Sequence, residues 1–200
     1  MKRTRSEAEE TRNRLLQAGL SVFLERGFDR TSLEEIAQRV DMTRGAVYWH
    51  FKDKLALFEE LVEKRLKPTQ EQLEKLLKDE EIPPLQKITS FLKQALHLLA
   101  EDEEYRLSQQ LLNKSCNALP ELVSHYSLWQ EKYLLALEQL YWQAQADRAV
   151  MAHISPRYLA TYTLSVVNGI CQHLLESDET VAEKRRMADQ VVFLFMRSLQ

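Results

Sequence analysis

The segment Thr43-Arg44-Gly45-Ala46-Val47-Tyr48-Trp49-His50-Phe51, followed by Lys52-Asp53-Lys54, holds the most concentrated chemistry of this chain. Two aromatics, a histidine, an arginine and a glycine share one short predicted helix. That mixture suits a helix whose outer face meets phosphates and bases. Arg44 is the candidate base reader, because a guanidinium binds O6 and N7 of guanine bidentately. Gly45 has no side chain and permits close approach to a groove. Tyr48, Trp49 and His50 carry O–H or N–H donors that can position a DNA backbone. Thr31, Ser32 and Thr43 stand at helix starts, where hydroxyls and free amides bind phosphate oxygens. Lys54 follows the Asp53 cap and adds an ammonium. Two of these residues have a second reading. Trp49 can pack under the following helix, and His50 can be a structural cap. Lys2, Arg3 and Arg5 form either a basic arm along the DNA or a solvated tail.

The elements that must position these residues are also visible. Ser32-Leu33-Glu34-Glu35 is a capping box, in which the Ser32 hydroxyl accepts from the Glu35 amide and Glu35 reaches back. Leu33, Ile36, Ala37 and Val40 then recur at helical spacing. Asp41-Met42 reads as a tight turn and Thr43 as the next N-cap. Helix, short turn, helix is the arrangement that sends a second helix into the major groove. Ala46, Val47 and Phe51 face the other way, towards Leu33, Ile36 and Val40. Ser6-Glu7-Ala8-Glu9 reads as a capping box for a preceding helix, which ends at Gly27 in a left-handed position.

The rest of the chain is helical in character. Its 200 residues include only four glycines and five prolines, and no alternating strand-like run is present. Asp53 caps a fourth helix, in which Pro68 is expected to cause a kink or break near Lys64–Lys67. Asp79–Pro84 is the clearest linker. Further helices are expected at 85–100, 103–114, 120–148, 156–176 and 181–199, with caps at Ser155 before Pro156 and at Thr180…Glu183. The sum is an all-α chain of nine helices. A three-helix DNA-binding head (1–53) precedes a six-helix body (54–200). The head through Lys54 carries eleven basic and nine acidic residues, the remainder sixteen and twenty-one. That imbalance suits a DNA-binding head on an acidic body.

Cys116 and Cys171 make neither a disulfide framework nor a metal-spaced cluster, and nothing around them points to a depressed thiol pKa. No nucleophile–base pair, metal cluster or phosphate loop is recognisable, so neither an enzyme nor a cofactor is expected. With no apolar run of about 18 residues and no signal region, the chain reads as cytoplasmic.

From about Thr11 to Leu61 the chain resembles the TetR family of transcriptional regulators. The resemblance rests on Arg12, Phe23…Gly27-Phe28, Thr31-Ser32-Leu33, Ile36-Ala37 and Gly45–Lys54. The Thr-Arg-Gly-Ala-Val-Tyr-Trp-His-Phe form is most similar to the AcrR-type branch, which represses multidrug efflux operons. The resemblance implies DNA-contact roles for Arg44, Gly45, Tyr48, His50 and Lys54. It also implies a ligand-responsive repressor that binds a palindromic double-stranded operator as a homodimer.

It further implies an inducer cavity in the body. Polar candidates on otherwise apolar helix faces are His97, Ser108, Asn113, Trp129, Gln130, Tyr133, Asn168, Cys171 and Gln172, with Cys116 and Asn117 nearby. Asn168 and Gln172 rank first, because a buried amide needs a partner. Without a cluster of acids or bases, the expected inducer is bulky and mainly apolar. The last two helices are the expected dimer interface, through Tyr158, Tyr162, Val166 and Ile170 and through Met187, Val191, Phe195 and Leu199, some of which must instead belong to the chain's own core. A regulator of the same fold that answers a metabolite, lipid or signal and controls other genes is the alternative.

Overall fold

A computed structural model describes the backbone of residues 5–116 and 120–199. Within that span, the side chains at 65, 66, 70, 116, 120–126 and 129 are not described. The described residues form nine helices and no strand: α1 (Arg5–Arg26), α2 (Leu33–Arg39), α3 (Arg44–His50), α4 (Lys54–Lys78), α5 (Pro84–Glu101), α6 (Glu103–Cys116), α7 (Pro120–Ala146), α8 (Pro156–Glu176) and α9 (Val181–Ser198).

Local chemistry sets the boundaries in the head. Gly27, at φ 80°, ends α1 by turning its N–H onto the Phe23 carbonyl at 2.8 Å, a left-handed position that glycine occupies without strain. The Ser32 capping box forms in both directions, 3.2 Å from the Glu35 amide to Oγ and 2.9 Å from the Ser32 amide to Glu35. Asp41 takes the left-handed turn position at φ 56°. Thr43 Oγ1 accepts from the Ala46 amide at 3.3 Å, and Asp53 Oδ1 accepts from the Ala56 amide at 2.8 Å. Ser6 differs from expectation. The helix already runs from Arg5, so Ser6 lies inside its first turn rather than capping it.

The chain forms two compact units, Met1–Leu66 with Leu107–Leu122, and Lys67–Arg106 with Val123–Gln200. The expected head–body boundary after residue 53 does not coincide with this division. The reason is that the first half of α4 gives Leu57, Phe58 and Leu61 to the core of the first unit. There they bury Leu15, Phe23, Leu33, Ile36, Val47 and Phe51. Phe23, Phe28 and Phe58 form a triangle of rings with centroids 5.3–5.5 Å apart. A Cβ at Gly19 would stand 2.6 Å from the buried Leu57 Cδ2, so a larger side chain here requires at least the Leu57 side chain to shift.

In the second unit α5 packs on α8 and α9. Its core gathers Ile88, Leu92, Leu96, Leu137, Leu140, Tyr141, Leu159, Ala188, Val192 and Phe195. Tyr141 is fully buried and shares a hydrogen bond of 2.7 Å with Thr163. Burial pushes its phenol up to about 12 despite that bond. Pro68 does not break α4, which is continuous through it. One proline removes one backbone donor, and the turns beyond it are held by the buried Thr69 and Leu73. The Thr69 hydroxyl lies 3.3 Å from the Tyr105 hydroxyl.

Candidate nucleic-acid interface

Helix α3 is divided lengthwise. Val47 and the following Phe51 are buried against α1, α2 and α4, whereas Arg44, Gly45, Tyr48 and Trp49 are exposed. The one-, three- and four-residue spacings put these four on one outward face. Trp49 is 72% exposed, which excludes the packing role under α4. The Arg44 guanidinium lies 5.6 Å from the Tyr48 ring centroid. Glu34 of α2 joins them: its Oε1 is 2.9 Å from Arg44 Nε and accepts from the Tyr48 hydroxyl at 3.2 Å. A Cβ at Gly45 would meet nothing within 4 Å, so the glycine serves no internal packing and leaves the surface low there. Thr43 is exposed beside it.

Three of the expected contact residues are engaged within the head itself. Thr31 is buried, and its hydroxyl donates to the Gly27 carbonyl at 2.8 Å, so it closes the α1–α2 loop. His50 is also buried, with its ring against the edge of Trp49 at 4.6 Å. It supports the outward face rather than forming it. Lys54 Nζ donates to the carbonyls of Phe28 and Asp29 at 2.6 and 3.2 Å and lies 4.3 Å from the Phe28 ring centroid. Partial burial lowers its pKa, against the opposing pull of Asp29 and Glu35. Lys54 thus ties the α1–α2 loop to the start of α4. Ser32 is half-buried in its capping box, and Lys2 and Arg3 lie outside the described residues.

One organising residue had no role assigned from its sequence position. Arg12 of α1 pairs with both carboxylate oxygens of Glu60 on α4. It also donates to the His50 carbonyl at 2.8 Å and lies 4.5 Å from the Phe51 ring centroid. It therefore fastens the C-terminal end of α3 to α1 and α4. The hydrogen bonds it donates to Glu60 raise its pKa, so it stays charged. The sequence signal was an arginine one turn ahead of Leu15 and Leu16. Its partner stands 48 residues away, beyond the reach of any helical spacing.

The expected inducer residues occupy different local settings. His97 bonds Asp189 at 3.0 Å, and Asp189 also pairs with Lys93. The hydrogen bond from Lys93, with a further one from His97, holds the Asp189 carboxyl below its usual range. Tyr133 packs on Phe91 with centroids 5.6 Å apart. Cys171 packs against the same core, and burial pushes its thiol up to about 12. Ser108 and Asn113 fall in the first unit, Ser108 buried and Asn113 half-buried. Gln130, Asn168 and Gln172 are exposed, which corrects the expectation of buried amides. Gln172 bonds Glu176 on its own helix. Positions 158, 161, 162, 165, 168, 169 and 172 form one exposed stripe along α8. The Trp129 side chain, the Cys116 side chain and Asn117 lie outside the description.

On α8 and α9 the large exposed apolar residues are Tyr158, Tyr162, Val181, Phe193 and Leu194. Of the expected interface set, Phe195 and Leu199 belong instead to the chain's own core. Among the described residues, no group of three or more His, Cys, Asp or Glu could hold a metal ion. No described helix is long and apolar enough to cross a membrane.

A family model described as bacterial regulatory proteins, tetR family, matches residues 15–61. Over 200 aligned residues the chain is 30% identical to the HTH-type transcriptional regulator AcrR of Shigella flexneri, covering 96% of this chain and 91% of that one. Two other curated relatives align over only 58% and 55% of their own lengths. Among solved structures, NalD, the secondary repressor of the MexAB-OprM multidrug efflux pump in Pseudomonas aeruginosa, superimposes with a TM-score of 0.82. It is 27% identical, over 96% of this chain and 98% of that one. A complex of SmeT with triclosan gives a TM-score of 0.83 at 25% identity, over 96% and 92%.

Proposed function

The chain belongs to the TetR family of bacterial regulatory proteins, and on that premise we propose that it is a ligand-responsive, DNA-binding repressor of a multidrug efflux operon. The observation that carries this is the exposed face of α3. Arg44, Tyr48 and Trp49 project from a helix whose opposite side is locked into a core. A guanidinium on such a helix can read guanine in the major groove. Tyr48, Trp49 and Thr43 then contact the backbone and fix the register. Arg12 fastens the C-terminal end of that helix to α1 and α4.

One helix-turn-helix reads too few bases for high specificity, and such heads bind palindromes as two-fold dimers. Tyr158, Tyr162, Phe193 and Leu194 are the apolar residues a second copy would cover. The inducer is a bulky, mainly apolar small molecule. Triclosan, bound by SmeT, is of that chemistry. It releases DNA by favouring a state of the body in which operator binds less well.

The test starts from random duplex DNA. The full chain selects a preferred sequence, and fluorescence anisotropy follows that labelled duplex while triclosan and other bulky apolar compounds are added. Enrichment of a palindrome and its release by at least one compound are expected. Failure to enrich any sequence would remove the DNA-binding reading. A duplex held equally tightly under every compound would remove the ligand response.

A further inference from the structure

We propose that Glu34 is a specificity-determining residue that restrains Arg44 and Tyr48 from binding phosphate indiscriminately. The inference rests on the DNA-binding reading above. Glu34 stands in the first turn of α2, and only its Oε1 is needed to reach both partners, 2.9 Å from Arg44 Nε and 3.2 Å from the Tyr48 hydroxyl. The guanidinium meets the carboxylate through Nε. Among the described residues, nothing else takes its terminal nitrogens.

Those terminal nitrogens are the pair that binds guanine O6 and N7 end-on. Base reading can therefore proceed with the Glu34 pair intact. Binding to an arbitrary sequence is different. It depends on cations that neutralise phosphates and release counterions. An arginine already neutralised by Glu34 contributes little of that, and the Tyr48 hydroxyl is likewise engaged. The Glu34 carboxylate itself repels a nearby phosphate. It consequently weakens DNA binding on every sequence through the backbone, and weakens it least where Arg44 finds a guanine.

The experiment compares the wild-type full chain with Glu34→Gln, Arg44→Ala and the double variant. The probes are the duplex enriched by the wild type and a shuffled duplex of the same composition, each across a salt series. Glu34→Gln is expected to tighten the shuffled duplex about fivefold and to steepen its salt slope by roughly 0.9. The enriched duplex should change by less than about twofold, so the ratio of the two affinities falls. In the Arg44→Ala background most of the gain should vanish. Equal tightening of both duplexes, an unchanged shuffled duplex, or a gain that persists in full without Arg44 would overturn the proposal. Those outcomes leave the DNA-binding reading standing. Failure of the wild type to enrich any duplex would overturn both.

Discussion

Helices α3 and α8 both expose aromatic side chains, but they surround them differently. On α3, Tyr48 and Trp49 stand with Arg44 and the Glu34 carboxylate. On α8, Tyr158 and Tyr162 share their stripe with Thr161, Ser165, Asn168 and Gly169, small or neutral residues. Tyr162 lies on Phe195 with ring centroids 5.5 Å apart and its hydroxyl 3.3 Å from Ser198. A charged, hydrogen-bonding face suits a polyanion that must come and go. A neutral face of aromatics and small residues suits a lasting contact with another protein, where charge is depleted at the centre. The two faces thus differ in chemistry, not in degree of exposure, and the proposed function gives them different partners.

The largest expected effect tests whether the α3 face depends on the core beneath it. Phe23→Ala empties one corner of the ring triangle and should cost about 3–5 kcal/mol of stability in denaturant unfolding. A loss below about 1 kcal/mol would mean that the core does not hold α3 as described. Next comes the other face. Leu194→Asp puts a charge where a second copy is proposed to pack, and at a hot spot it should weaken association by about 2 kcal/mol or more. Sedimentation should show a monomer that keeps its helical content and loses the palindrome. A dimer of unchanged stability would break the comparison. Arg44→Ala should remove about 1–3 kcal/mol of discrimination at one base position per half-site. Uniform weakening across all bases would deny it the reading role.

How much of this could be read from the sequence divides along the same line. In the head, contacts three or four residues apart set the capping boxes, the turn at Asp41 and the split of α3 into core and surface. Such contacts are visible as spacing. Thr31 and Lys54 also give their polar atoms to backbone carbonyls and His50 is covered by neighbours, internal roles that residue type alone does not reveal. In the body, Asn168 and Gln172 interrupt an apolar-looking run, and helical spacing cannot say which of two opposed faces the core claims. Packing of α8 on α5 decides it. The same holds for Phe195 and Leu199, whose apolar character fits an interface and a core equally well.

Smaller effects refine the picture. Arg12→Lys keeps the charge but loses the planar fork that meets Glu60, His50 and Phe51 together. It should cost about 1–2 kcal/mol in unfolding and lower affinity for the palindrome, while Arg14→Lys, at an exposed residue that donates to the Val40 carbonyl, should change little. The last effect is on pH. Asp189 has a depressed folded pKa, so its stabilisation is present above the ordinary carboxylate value of about 3.9 and is lost as pH falls through the folded value. Asp189→Asn should therefore lower the thermal midpoint at neutral pH and flatten the acid limb. An acid limb identical to wild type would show that Lys93 and His97 lend no stability through Asp189.

The central claim is that two copies of α3 read DNA from a two-fold dimer. Hydroxyl-radical footprinting on the enriched duplex tests it most directly. Two protected patches related by a dyad are expected, with half-sites one helical turn or a multiple apart, about 34–36 Å per turn, and both patches should be lost in Leu194→Asp. A single patch, or two patches that survive in the monomeric variant, would contradict it.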